Sequence, residues 1–337
     1  MSLIIGRGGG VTMSGGGSGQ APALFQDDFD RADGPLGPLW QGSGAAISGN
    51  KVVITPTAGS EILTNGNMES GDPPSSWTAI SNTLDGVADE RTGGAGAQAL
   101  DTLTSGAAFG RARQVITATV GTWYALAGYV KRIAGGSGRI AFVQSTGEIV
   151  IQQRTSSSAS WTLLDVTARA PVTSMQVWLG NVTAASGEDH RFDDVSLKAL
   201  TLSTLFATIN NGLTHCDVSA KATLVAGTHA GVVANLDSVS SPANFVIAYH
   251  DGTSVYLDKC VGGTYTNLIS AAVAYSAGAI IRIVRPAGTN TFQLWYNGVQ
   301  RGADQSVSDA GIVSNTRHGL FSAYDGNSLD DYACGPT

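Results

Sequence analysis

Thr291-Phe-Gln-Leu-Trp-Tyr-Asn-Gly-Val-Gln300 decides the fold class. Phe292, Leu294 and Tyr296 recur at every second residue, the period of a half-buried strand. Asn297-Gly298 follows at once, and both central positions of a tight hairpin turn need positive φ, which Asn and Gly tolerate best. Outward from this hairpin the same pattern repeats. Upstream lie Ile280-Ile-Arg-Ile-Val284, Tyr265-Thr-Asn-Leu-Ile269, Ser254-Val-Tyr-Leu257 and Phe245-Val-Ile-Ala-Tyr249, with Pro286-Ala-Gly288, Gly262-Gly263 and His250-Asp-Gly252 between them. In the middle third Tyr124–Val130, Arg139–Val143, Glu148–Gln152 and Met175–Leu179 read as strands, and Gly135–Gly138 and Ser156–Ser160 as loops. Short strands recurring about every 8–12 residues, with turn residues between them, indicate sandwiches or barrels. The expectation is an all-β chain.

Composition agrees. Only 13% of residues are charged, against 42% hydrophobic, and Gly stands at 44 in 337 residues. Small uncharged residues suit strands and tight turns, and no long Ala/Leu/Glu/Lys stretch at helical spacing occurs. Roughly 150 residues per domain predicts about two domains. The net charge is −7, and no basic cluster exceeds the pair Lys131-Arg132, which speaks against nucleic acid. No apolar run approaches the roughly 20 residues of a membrane span, so no membrane insertion is expected. Leu3-Ile4-Ile5, ahead of Arg7, is too short for the apolar region of a secretory signal. Residues 1–23 are glycine-rich and are expected to form a flexible arm, with docking of Leu3-Ile4-Ile5 on a neighbouring subunit as the sharper alternative. Cys216, Cys260 and Cys334 are odd in number and widely spaced, which predicts buried thiols rather than disulfides or a zinc site.

Two phrases carry family resemblances. Phe25-Gln-Asp-Asp-Phe-Asp-Arg-Ala-Asp-Gly-Pro-Leu-Gly-Pro-Leu-Trp40 resembles the opening of concanavalin A-like (laminin-G-like) lectin/glucanase sandwiches. The later text of that family is similar to Leu205–Leu224, Leu294–Val299, His318–Tyr324 and Leu329–Tyr332. The interruption, from near Ser60 to near Leu200, begins with Ile62-Leu-Thr-Asn-Gly-Asn-Met-Glu-Ser-Gly71 and Trp77. It resembles a carbohydrate-binding-module jelly roll, with Met68 where Phe is commoner. Ser160–Asp165 and His190-Arg-Phe-Asp-Asp-Val-Ser-Leu197 resemble the later strands of such a module. The resemblances imply a discontinuous sandwich over 24–60 and 200–337, with an inserted jelly roll over 61–199. A sandwich whose first and last strands lie side by side can be inserted at little entropic cost.

The resemblances also imply sites. In the jelly-roll family the matching acids help to hold a structural Ca²⁺, which here points to Glu69 and Asp194. Asp28 and Asp331 are the equivalent candidates in the outer sandwich. The competing reading is that these acids bond to turn N–H groups. Sugar stacking needs a planar aromatic, and the candidates are Trp77, Trp123 and Tyr124 in the insert and Tyr256 and Tyr265 outside it. Trp178 and Trp295 sit inside apolar strands and read as core. Enzyme chemistry is not expected: the alternating Glu-x-Asp-x-Glu strand of the glucanase relatives is missing, and so is a Gly-x-Ser-x-Gly elbow. Neither a persuasive carboxylate pair nor two histidines at metal-ligand spacing occur. The functional expectation is a non-enzymatic bacteriophage virion protein (a capsid decoration, tail or fibre-associated subunit), assembled in the host cytoplasm. It would contact other virion proteins, oligomerise through its arm and display a lectin-like module to host-surface glycans. The alternative is a bacterial extracellular carbohydrate-binding protein or adhesin.

Overall fold

The computed structural model describes residues 2–6, 10–14, 24–88, 91, 93–94 and 96–337. The chain is all-β and divides into two compact units, 1–57 with 201–337 and 58–200. Each is a β-sandwich, the second inserted into the first.

In the discontinuous sandwich one sheet runs Gly10–Ser14, Ser2–Gly6, Phe25–Asp27, Ser328–Gly335, Asp217–Thr223, Ala279–Val284, Thr291–Tyr296, Val299–Ser306. Phe25–Asp27 and Lys51–Ile54 both pair antiparallel with Ser328–Gly335, so the first and last strands of the unit are neighbours. The facing sheet runs Phe206–Asn210, Arg317–Ser322, Ala230–Leu236, Phe245–His250, Ser254–Val261, Thr264–Ala272. The hairpin at Asn297-Gly298 forms as its residues require, with φ of 50° and 79° and Tyr296 opposite Val299. Asp217–Thr223 and Thr291–Tyr296 alternate buried with half-buried residues, and the buried set packs into the core between the sheets. Phe245–His250 is buried on both faces, which is why it reads as a continuous apolar run rather than an alternating one.

Of the expected arm, residue 1 and residues 7–9 and 15–23 lie outside the described residues. Within it, Ser2–Gly6 pairs antiparallel with Gly10–Ser14 and runs parallel to Phe25–Asp27 of the same chain.

The opening phrase is explained by a single carboxylate. Asp27 is 1% exposed. Its Oδ1 accepts from Arg31 Nη1 at 2.5 Å and from the Phe29 N–H at 3.0 Å, while Oδ2 accepts from Arg31 Nη2 at 3.0 Å and Trp40 Nε1 at 2.9 Å. Trp40 in turn packs edge-on to Tyr332, with centroids 4.9 Å apart, and against Phe25 at 5.8 Å and Phe29 at 5.6 Å. Burying the charge is tolerable because both oxygens are paired.

In the inserted sandwich one sheet runs Thr162–Arg169, Trp123–Ala134, Asp189–Leu200, Gln98–Leu103, Thr83–Ala88, with Ala58–Glu61 also paired to Asp189–Leu200. The other runs Ile149–Ser156, Gly138–Gln144, Ser174–Asn181, Arg111–Thr117, Thr78–Ile80. Leu100, Leu126, Val130, Phe142, Val177, Leu179, Phe192 and Leu197 meet in its core.

Candidate functional site

The acids singled out in the sequence are held by protein groups. In the insert, Glu69 Oε1 accepts the N–H groups of Ala97 and Gln98 at 2.9 and 2.8 Å. Asp194 meets Arg91 Nη2, and the same guanidinium bonds Asp193 Oδ2 from Nη2 at 2.9 Å and from Nε at 3.2 Å. Arg91 also lies 4.0 Å from the Tyr129 ring centroid. The cation between these aspartates is therefore a guanidinium, and the side-chain set does not fit a calcium ion, which needs six or more oxygens. In the outer sandwich Asp28 and Asp331 do converge, lining a surface pocket of about 240 Å³ with Gln26, Asp27, Tyr332 and Ala333. Asp331 is ion-paired with Lys221 there, and Asp28 Oδ1 accepts from the Asp30 N–H at 3.2 Å. Among the described residues, no carboxylates make up a set of three close enough to share an ion.

The aromatic candidates of the insert are buried. Trp77 is 7% exposed, belongs to the core and donates from Nε1 to Asn65 O at 3.1 Å. Tyr124, 4% exposed, stacks on Phe142 with centroids 5.5 Å apart, and its hydroxyl accepts from the Thr119 N–H. Trp123 is 2% exposed, with the Arg169 guanidinium 5.9 Å from its ring centroid. These three rings offer no open face for sugar stacking. In the outer sandwich Tyr256 and Tyr265 are half-buried. Tyr256 stacks on Tyr249 at 5.1 Å and donates to Asp251 Oδ2 at 2.9 Å; Tyr249 donates to Asp258 Oδ2, also at 2.9 Å. Tyr265 packs edge-on to Phe245 at 5.6 Å. Burial first, then the Asp251 charge, pushes the Tyr256 hydroxyl above its ordinary pKa, so it remains a donor.

Trp178 is buried, 4% exposed, as expected of a core residue, but in a small cluster of its own. Met175, Val177 and Leu179 point into the core of the insert, whereas Trp178 lies on the opposite face of the same sheet, with Ala141, Val143 and Val150. Strand register puts two rows across that outer face. One is Thr78, Arg113, Trp178, Ala141, Gln153; the other is Ile80, Arg111, Gly180, Arg139, Thr155. Directly opposed residues share a face. The Arg111 and Arg139 guanidiniums lie 4.1 and 5.2 Å from the Trp178 ring centroid. Trp178 Nε1 donates to Gln176 Oε1 at 2.6 Å, and Arg139 Nη1 to Gln153 Oε1 at 3.1 Å. Glu148 pairs with Arg111 at 2.6 Å and Arg113 at 3.6 Å.

Charge and burial are unusual on this face. Arg111 and Arg139 are 8% and 7% exposed, and the Nε atom of each has no hydrogen-bond partner. Burial, then the nearby Arg111 charge, lowers the Arg139 pKa; an arginine stays charged regardless. Two guanidiniums of this face, those of Arg111 and Arg113, share the carboxylate of Glu148. Val115, 58% exposed, supplies an apolar rim. Stacked on the indole, the arginine forks are fixed in position and present donors to vicinal oxygens at little entropic cost. Strand alternation alone could not find this face, because Ser174–Asn181 is buried on both sides from Met175 onward. The spacing of Arg111 and Arg113 at every second residue was the available signal.

No family model matches the chain, and no curated protein matches it. Solved structures do. The CBM22-1 xylan-binding domain of Paenibacillus barcinonensis Xyn10C is similar at 19% identity, over 43% of this chain and 97% of that chain, with a TM-score of 0.35. The CBM22-1–CBM22-2 tandem domain of the same protein is similar at 13% identity, over 84% of this chain and all 100% of that chain, with a TM-score of 0.36. An arabinose-bound MgGH51 α-L-arabinofuranosidase is similar at 18% identity and a TM-score of 0.35, over 43% of this chain and only 27% of the arabinofuranosidase.

Proposed function

We propose that the chain is a non-enzymatic glycan-binding protein whose inserted sandwich binds sugar chains on the outer face of the sheet that carries Trp178. The observation that supports the reading is the row of arginines on one face of the sheet, with Arg111 and Arg139 packed on the buried Trp178 and the more exposed Arg113 beside Glu148. A row of fixed guanidinium, amide and carboxylate groups suits vicinal hydroxyls, and the exposed Val115 suits the apolar face of a pyranose. The three arginines on this face, Arg111, Arg113 and Arg139, favour sugars that bear a carboxylate or sulfate. Binding rather than turnover is the role assigned, since no carboxylate pair flanks a common point on this face.

The test is a panel of neutral and acidic polysaccharides against the full chain and its Arg139→Gln and Trp178→Ala variants. Retention of an acidic polysaccharide, lost at least tenfold in both variants and weakened by salt, is the expected result. Retention unchanged in both would remove this face from the function.

We further propose that the protein is a virion subunit, with the inserted module displayed to host-surface glycans; an extracellular adhesin would use the same face. Gly10–Ser14 ends its sheet, and an open strand edge supports an assembly role for the N-terminal segment. Immunogold labelling of cell-free particles separates the two: regular labelling of virus-like particles is expected, and labelling confined to cell envelopes favours the adhesin.

A further inference from the structure

Cys216, Cys334 and His318 of the outer sandwich take no part in the sites above, yet they meet in its core. Cys216 directly precedes Asp217–Thr223, and Cys334 lies on the neighbouring strand Ser328–Gly335, opposite Val218. His318 comes from the facing sheet, on Arg317–Ser322. All three are 0% exposed, and their potential ligand atoms lie within 4.8 Å of one another. Cys216 Sγ is 3.2 Å from His318 Nδ1.

The surroundings orient these atoms. Leu213 O lies 2.9 Å from His318 Nε2, so that nitrogen carries the proton. Nδ1 then has its lone pair directed at the Cys216 sulfur and at the Asn235 N–H, 3.2 Å away. A carbonyl on the far nitrogen is the arrangement that fixes the tautomer of a metal-ligating histidine. Asn211 Nδ2 donates to Cys334 Sγ at 3.0 Å. Tyr332, 1% exposed, neighbours Cys334, with its hydroxyl buried against that thiol.

Charge points the same way. Arg285 is 2% exposed and lies near Cys216. Its guanidinium bonds Thr214 O at 2.8 Å, Val313 O at 2.6 Å, Thr289 O at 3.3 Å and Asn290 Oδ1 at 2.9 Å. Among the described residues no carboxylate pairs with it. A buried cation without a counter-charge is costly, and the two thiols would supply one on releasing their protons to solvent as an ion binds.

We propose that Cys216, Cys334 and His318 bind one thiophilic d¹⁰ cation, Cu⁺ or Zn²⁺, which ties the two sheets of the outer sandwich together. With metal–sulfur bonds of about 2.3 Å and metal–nitrogen bonds of about 2.0 Å, a central ion needs its ligand atoms roughly 3.5–4 Å apart. The set already brackets that spacing. Two thiolates and a neutral imidazole around Cu⁺ carry a net single negative charge, which Arg285 balances; around Zn²⁺ they are neutral.

The test is anaerobic titration of the reduced full chain with Zn²⁺ and, separately, with Cu⁺, following stoichiometry and Tm, with Co²⁺ as a spectroscopic probe. Uptake of one ion per chain, a raised Tm and sulfur-to-cobalt charge-transfer absorption are expected. Uptake of Cu⁺ alone or of Zn²⁺ alone selects between the two ions. Cys216→Ser and His318→Gln should abolish the uptake, and uptake undiminished in Cys216→Ser places the ion elsewhere and overturns the site. Should the variants fail to fold, the cobalt absorption of the unmodified chain decides alone. No uptake by the folded, reduced chain sinks the proposal, as does a Cys216–Cys334 disulfide forming in air in a chain that takes no ion when reduced.

Discussion

The last strands of the two sandwiches carry the same local device with different partners. In Asp189–Leu200 the pair is Asp193-Asp194, and in Ser328–Gly335 it is Asp330-Asp331. In each, the second aspartate takes a positive φ, 46° and 47° respectively. In each, the first aspartate accepts the N–H of the second, at 2.7 and 2.8 Å. In each, the ladder shifts register at that point. The short polar side chain makes a left-handed residue tolerable inside a bulge. The cations differ. Arg91 is 8% exposed, touches both aspartates of the insert and lies over Tyr129, whereas Lys221 is 43% exposed and meets only Asp331, itself 45% exposed. A matching pair of acids therefore marks a bulge in both units, and burial of the cation decides whether the pair also holds its sandwich together.

The largest effect that could break this comparison is expected at Arg91. Arg91→Ala removes the guanidinium from Asp193, 2% exposed, and breaking a buried pair costs about 3–5 kcal/mol. Urea unfolding followed by hydrogen exchange in peptides of 58–200 should show that loss in the insert. A loss below about 1 kcal/mol would put the pair in the class of exposed salt bridges.

Acid should separate the units next. Burial, with help from Arg285 and Arg317, lowers the His318 pKa to about 4. The unfolded chain then binds a proton below about 6.5 that the native chain refuses. Stability of the outer sandwich should fall as the pH drops from about 6.5 to about 4, by about 3 kcal/mol at the lower end. His250, lowered by burial, acts in the same direction. In the insert, burial and the neighbouring Asp189 raise the Asp101 pKa to about 6. Native Asp101 takes up its proton first, so its contribution rises as the pH falls from about 6 to its unfolded value. His190, lowered by burial, opposes it. Protection from exchange, taken relative to the intrinsic rate at each pH, should therefore be lost earlier on acidification in peptides from 201–337 than in those from 58–200. Identical profiles would sink the assignment.

Asp194→Asn tests the insert more finely. Arg91 keeps Asp193, so the loss is one charge-assisted bond, about 1–2 kcal/mol, and the positive φ remains acceptable to Asn. A cost equal to that of Arg91→Ala would mean that Asp194 rather than Asp193 holds the guanidinium.

Which of these features could be read in advance follows from the range of each interaction. The hairpin at Asn297-Gly298 and the alternating strands were legible because turn chemistry and period-two burial are local. Convergence of Asp28 with Asp331 was legible because the first and last strands of a sandwich pair. Arg91 was not: it reaches its aspartates from a loop 102 residues away in sequence. The burial of Trp178 was legible from Met175, Val177 and Leu179 beside it, whereas only register reveals that its cluster shares a face with the arginines. Trp77, Trp123 and Tyr124 were weighed as sugar-stacking rings because a loop-adjacent aromatic can dock inward or outward at equal sequence cost. The Cys216–His318–Cys334 cluster needs two sheets to assemble, so no spacing along the chain could announce it.

The smallest expected effect is at Lys221, and it bears on the comparison from the other side. Its ammonium reaches Asp331 across the register shift, and both side chains are more than two-fifths exposed. Water competes for both charges, and ordering a lysine side chain costs entropy that the attraction barely offsets. Lys221→Met keeps most of the apolar stem that covers the strand while removing the charge. The expected change is about 0.5 kcal/mol or less, smaller still in high salt as the pair is screened. The bulge should persist, because Asp330 accepts the Asp331 N–H without help from the lysine. Were Lys221→Met to cost as much as Arg91→Ala, exposure would not be what separates the two closures, and the same acidic pair would have to be carrying the same load in both.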